Sequence, residues 1–218
     1  MGVGSARNSS DTTDIVNGGA LTANIAASGA NGLDTGAEAA NTWYAIHVID
    51  GPAVATASLL SLSATAPTLP ASYTVFRRIG WIRNNGSSNF SLVTWFGGGS
   101  RRRCVYTGEN FSATQVLAGG SATAFTGVSA ASFIPTTSQE LTVGSIFNGT
   151  SGNDIAELRA TGTAVSNDAS TIRFQSDGTG DHGWQDDVTT NASQSFDYRV
   201  TSAFNDLELA VYSYMDEL

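Results

Sequence analysis

The chain has 218 residues, of which 41% are hydrophobic and 13% charged, with one cysteine and a net charge of −9. That length buries a core without cross-links. The single Cys104 excludes an intrachain disulfide, and no run of 18 apolar residues exists to form a membrane-spanning helix. Charged residues stand at about half their usual share. Ser, Thr, Asn and Gly take their place, as in all-β proteins whose exposed faces are neutral and polar.

The charge is unevenly spread. Residues 1–50 carry one Arg and five acids, residues 51–108 six Arg and no acid, and residues 109–218 three Arg and fourteen acids. Two accounts fit. An acidic protein repels its own copies and stays dispersed. Alternatively, the basic middle docks on an acidic surface, such as the C-terminal half of another subunit.

In chain order, residues 1–18 are polar and Gly-rich and are expected to be flexible or draped over a neighbour. They lack the apolar stretch of a signal peptide, and Ala6 breaks the myristoylation pattern. Leu21–Ala30 fits a strand or a short helix. Asn41–Ile49 reads as a strand with both faces apolar, hence covered on both sides. Asp50-Gly51-Pro52 stops it. Val54–Leu62 and Tyr73–Arg83 are two further strands, joined by the stiff connector Ala66–Pro70. Asn84–Ser87 reads as a type I′ hairpin turn, with Phe90–Phe96 returning as the partner of Tyr73–Arg83.

Thr107-Gly108 is the expected domain boundary. Beyond it, strand patterns recur at Thr114–Leu117, Ala122–Val128, Glu140–Phe147, Ser170–Gln175, Phe196–Val200 and Leu207–Tyr214. Ile155–Ala160 is ambiguous between strand and helix. Tyr212 and Tyr214 share one register, opposite Leu207, Leu209 and Val211. The expected fold is all-β with little helix, in two β-sandwich or jelly-roll-like domains: a flexible segment 1–18, a β domain over 19–107, and a C-terminal β-sandwich of jelly-roll type over 108–218.

Few residues point to chemistry. Asp177, Asp181, Asp186 and Asp187 form the densest acidic cluster and are the candidate ligands for a hard cation, although their order departs from an EF-hand. A solvated hairpin tip is the plainer account of them. Arg101, Arg102 and Arg103 are candidate partner-binding residues. Their neighbours Trp95, Phe96 and Tyr106 raise nucleic acid as a ligand. Against that, the chain is acidic, and consecutive strand residues point to opposite faces. Trp184, in a polar stretch, is the candidate for stacking on a host-surface glycan. Trp43, Trp81 and Trp95 sit in strand patterns and read as core. His47 reads as structural, and Cys104 as a buried, inert thiol. No Gly-x-Ser-x-Gly elbow accompanies His182, so the expectation is a non-enzymatic protein with no cofactor, nucleic-acid partner or membrane anchor.

One stretch carries a resemblance. Asp34-Thr35-Gly36, Thr42-Trp43-Tyr44, Ser63-Ala64-Thr65-Ala66-Pro67-Thr68-Leu69-Pro70 and Arg78-Ile79-Gly80 together are similar to a module of tailed-bacteriophage structural proteins, often tail-fibre or other surface-exposed virion proteins. The resemblance runs from about residue 30 to residue 106 and carries over no active-site residues. The ending LELAVYSYMDEL is similar to the last strand of C-terminal domains in such proteins. The resemblance implies a virion location, contact with other tail or capsid proteins, and a homotrimer. A tail-fibre-like or receptor-binding component, a capsid decoration or head-fibre protein, and a free carbohydrate-binding module are the three expectations it leaves open.

Overall fold

The structure, a computed structural model, describes residues 3–163, 172–178, 180–203 and 205–218. It is nearly all β, as expected. Among the described residues no helix is long and apolar enough to cross a membrane. The chain divides into two compact units, one ending at Ser91 and one running from Leu92 to Glu217. This boundary lies ahead of the expected Thr107-Gly108.

The first unit begins with an antiparallel hairpin, β1 (Gly4–Arg7) and β2 (Asp14–Asn17). The expected flexible segment is therefore folded over most of its length. The Asn8 side chain accepts from the backbone N–H groups of Thr12 and Thr13, which organises the turn. Arg7 pairs with Asp14 at 2.9 Å across it. The hairpin is tied to the sheet beyond it: Ser9 donates to the Phe76 carbonyl and Thr56 to the Val16 carbonyl.

That sheet has the order β4 (Val54–Ser61), β3 (Thr42–Gly51), β5 (Val75–Asn84), all antiparallel. The apolar residues on both faces of β3 are both covered, as its sequence requires. Tyr44 packs with Leu33, Leu60, Ile82 and Phe90. Ile49 packs with Ala57, Leu59, Leu69, Tyr73 and Phe76. Residues 32–34 add a short parallel pairing on the free edge of β4 through the Leu33–Leu60 bridge.

Two expectations fail at the end of β5. The positive φ falls on Ser88 (57°), not on Gly86, because the Asn85 side chain accepts from Ser87 N and Asn89 N and sets a wider loop. The returning chain pairs with β5 only at Phe90 and Ser91. It then leaves as β6 (Val93–Phe96), which pairs with β7 (Arg101–Tyr106) in the second unit.

The second unit continues with a 3₁₀ turn (Phe111–Thr114), β8 (Gln115–Gly120), β9 (Thr126–Ser129), β10 (Glu140–Asn148), β11 (Ile155–Ala160), β12 (Ile172–Gln175), β13 (Asp181–Thr189), β14 (Ser195–Val200) and β15 (Asp206–Glu217). Ile155–Ala160 thus resolves as a strand. Ser170 and Thr171 of the expected strand Ser170–Gln175 lie outside the described residues. β13 lies where the sequence suggested a hairpin tip.

Two sheets result. One contains β8-β15-β10-β13, with the β6–β7 hairpin added beside β15; the other is β12-β11-β14-β9. Every pairing is antiparallel. Eight strands in this order, with the chain passing between sheets at β8–β9, β9–β10, β10–β11, β12–β13, β13–β14 and β14–β15, make a jelly roll. Its core is the alternating inward set of both sheets: Leu141, Val143, Phe147, Leu207, Leu209 and Val211 from one, and Ala156, Leu158, Phe174, Phe196 and Val200 from the other.

β15 carries a bulge. Val143 lies opposite Val211 but Thr142 lies opposite Ser213, so Tyr212 is the extra residue. A bulge shifts the alternation by one. Tyr214 therefore points inward with Val211 and is buried, while Tyr212 turns out to 45% exposure. The two tyrosines do not share a face as their spacing implies.

Phe147 is fully buried, and its truncation to Ala is expected to cost about 3–5 kcal/mol. Tyr212→Ala, at the surface, should change stability by no more than about 0.5 kcal/mol. Urea unfolding of the two variants against the parent checks both values.

Candidate functional site

β7 and β15 run antiparallel with Arg101 opposite Glu217, Arg102 opposite Asp216 and Arg103 opposite Met215. The arginine run thus lies along the chain's own acidic end. Arg101 reaches Glu140 at 3.0 Å and Glu217 at 3.7 Å. Arg103 reaches Asp187 at 3.0 Å and donates to the Thr142 hydroxyl at 2.9 Å. Asp216, opposite Arg102, is fully buried and accepts from Thr137 Oγ1 at 2.7 Å. The complementarity seen in the sequence as a docking surface for another subunit is formed, for Arg101 and Arg103, within one unit.

The four candidate cation ligands do not converge. Asp181, Asp186 and Asp187 lie on β13, where Asp186 and Asp187 point to opposite faces, and Asp177 precedes the strand. Asp187 is taken up by Arg103 and by the Thr142 hydroxyl at 2.5 Å. Asp177 Oδ1 is 2.6 Å from His182 Nε2. Among the described residues no group of three or more His, Cys, Asp or Glu side chains is placed to hold a metal ion.

Trp184 also sits on β13, half-buried. Its ring stacks on Phe174 of the facing sheet, with centroids 5.2 Å apart, and lies 5.6 Å from His182. It joins the edges of the two sheets, which leaves less of the indole for a sugar than its polar sequence suggested. Of the other tryptophans, Trp81 is buried as expected. Trp43 and Trp95 are only half-buried, with Trp95 edge-on to Tyr214 at 6.1 Å.

The residues that carry the sequence resemblance meet in space. Asp34 Oδ1 accepts from Thr35 N at 2.7 Å, and its Oδ2 accepts from Ser61 Oγ at 2.6 Å and from Thr68 N at 3.0 Å. One carboxylate thereby fastens the Ala66–Pro70 connector to the end of β4. Gly36, two residues on, has φ 79°, a conformation that favours glycine. His47 is fully buried, edge-on to Phe76, with Nε2 3.0 Å from the Ser63 carbonyl. Burial pushes its pKa down, and the Arg78 charge adds to that. Its place is structural.

The sequence reading overlooked a charged network on the outer face of the second sheet. Glu157, almost completely buried, pairs with Arg199 and with Arg173 at 3.4 Å. Arg159 pairs with Asp197 at 3.2 Å, and the guanidinium groups of Arg159 and Arg199 lie 3.7 and 4.7 Å from the centre of the Phe125 ring. Asp197 and Arg199 follow the alternation of Phe196–Val200, whereas Glu157 and Arg159 lie in the stretch whose sequence fits strand and helix alike, and the cross-strand pairing of the four has no sequence signal.

No protein-family model matches the chain, and no curated protein matches it either.

Two measurements follow from these environments. Burial raises the Asp187 carboxyl, but the Thr142 hydroxyl and the Arg103 guanidinium outweigh it and hold the pKa below the ordinary carboxylate value. Its stabilisation is present above the unfolded pKa of about 3.9 and is lost as pH falls through the lower folded value. Arg103→Gln should therefore weaken the acid dependence of the melting temperature, with a smaller loss between neutral pH and pH ~3 than in the parent. Cys104 is buried and its thiol is pushed up to about 12 by desolvation, against a lowering contact from Tyr214. It should resist a thiol reagent at neutral pH in the native protein and react fully in denaturant.

Proposed function

We propose that this chain is a non-enzymatic structural protein of a tailed-phage particle, exposed on its surface as a tail-fibre-like or receptor-binding component and assembled as a homotrimer. The observation that carries this reading is the Asp34 carboxylate. It ties Asp34-Thr35-Gly36 to the Ser63–Pro70 connector, so two of the resembling motifs form one folded piece. The jelly roll of the second unit adds support by analogy of fold alone, since viral capsid and lectin domains use it. In this reading one unit attaches to the particle and the other faces outward.

A capsid decoration protein is the second reading. The compactness of both units favours it, because no long shaft or coiled coil separates them in the sequence. Copy number distinguishes the two. Quantitative mass spectrometry of purified particles is expected to find a handful of copies in a multiple of three. Hundreds would move the protein to the capsid, and absence from the particle would overturn both readings. Light scattering of the purified chain should give three times 22.5 kDa. A monomer at micromolar concentration would end the trimer proposal.

A further inference from the structure

The outer face of the larger sheet carries a trough whose floor is set by strand register. Gln185, Gly144 and Ala210 stand side by side on β13, β10 and β15. They point away from the core because Leu141, Val143 and Phe147 of β10 point into it. Two of the three have at most a methyl group, so the backbone there is nearly bare. Phe111, held on the 3₁₀ turn, makes one wall. Its ring carbons lie 3.8 and 3.9 Å from where a Cβ on Gly144 would stand. Tyr212, two residues beyond Ala210 and on the same outward side of β15, makes the other wall. Glu109 lines the same trough. It is half-buried, and no hydrogen bond or ion pair is found for it among the described residues.

The chemistry of this lining is selective. The rings of Phe111 and Tyr212 on the walls, with Tyr106 beside them, offer apolar contact, the Glu109 carboxylate accepts hydrogen bonds, and the Gln185 amide both donates and accepts. The trough encloses about 220 Å³, below the roughly 300–1,000 Å³ of pockets that hold drug-sized ligands. It has room for one ring. A wholly apolar ring would leave the half-buried carboxylate desolvated without a partner, at a cost. A compact cation would meet the Glu109 carboxylate and the aromatic rings but would use none of the donor capacity of the Gln185 amide, so choline serves as the competing probe. A pyranose has an apolar face for the aromatic rings and hydroxyls that donate to Glu109 and exchange hydrogen bonds with Gln185. We infer that the trough formed by Glu109, Phe111, Gly144, Gln185, Ala210 and Tyr212 binds a single neutral sugar ring, and that Trp184 takes no part.

This site would serve a receptor-binding virion protein and does not rest on the virion placement. The test is ligand-observed NMR on the full chain with the methyl glycosides of glucose, galactose, mannose and N-acetylglucosamine, and with choline as a cationic control. At least one glycoside should bind. Tyr212→Ala should weaken it about tenfold, the equivalent of ~1.4 kcal/mol. Glu109→Gln should weaken it too, and Trp184→Leu should leave it unchanged. Gly144→Leu should fill the floor and abolish binding; if that variant misfolds, Glu109→Gln at the rim still decides. Failure of all four glycosides to bind would overturn the inference. So would binding of choline in their place, or binding that survives Tyr212→Ala and is lost in Trp184→Leu. None of these outcomes bears on the particle placement, which the copy number tests separately.

Discussion

The second unit depends on one strand that is hydrogen-bonded along both edges. β15 pairs with β10 over nearly its whole length on one side. On the other side its first half pairs with β8 and its second half with β7. Twelve residues at the end of the chain thus join segments that begin at Arg101, Gln115 and Glu140. Without β15 the larger sheet would be separate pieces with unpaired edges. The bulge at Tyr212 belongs to the same constraint. It lets Leu207, Leu209 and Val211 face the core in the first half and Tyr214 and Asp216 face it in the second.

Packing, more than charge, sets the alignment of β7 on β15. The ion pairs of Arg101 and Arg103 are substantially exposed, and exposed pairs contribute about 0–1 kcal/mol each. The inward residues of the same strands are Cys104, Tyr106 and Tyr214, all buried, and burying one large side chain contributes roughly 1.5–3 kcal/mol. Burial of the aromatic positions fixes the register, and the arginines then fall beside the acids. The buried Asp216, with its hydrogen bond from Thr137, is the exception in which polar specificity is built into the core edge.

The sequence made the central strands legible because their burial is periodic. β3 is apolar on both faces and proves to be covered on both. Leu141 and Val143, and Phe196, Tyr198 and Val200, alternate and face inward. What it hid were features decided by distant partners. β13 reads as a loop because its inward positions include His182 and Trp184 and its outward ones are Asp, Gly and Gln. It becomes a strand by pairing with all nine residues of β10. Residues 93–96 read as the partner of β5 but find theirs in β7, which moves the domain boundary. The alternation Leu207, Leu209, Val211 gives no sign of a bulge one residue later. Of the candidate site residues, Trp184 and the four aspartates could be chosen from composition. Their spread along β13 and the segment before it could not, and neither could the convergence of Phe111 and Tyr212.

The place of the closing strand after all its partners in chain order also bears on how the second unit is made. Apart from Leu218, the first unit is made of residues 1–91 alone. The second cannot close its larger sheet until residues 206–217 have left the ribosome. Cys104 then pairs with Tyr214 across 109 intervening residues, a long-range contact of the kind that forms slowly. During translation at about 5–20 residues per second, β7, β8 and β10 wait with open edges while the rest of the chain emerges. A product truncated before β15 would carry one finished unit and one sheet seeking a strand from another molecule.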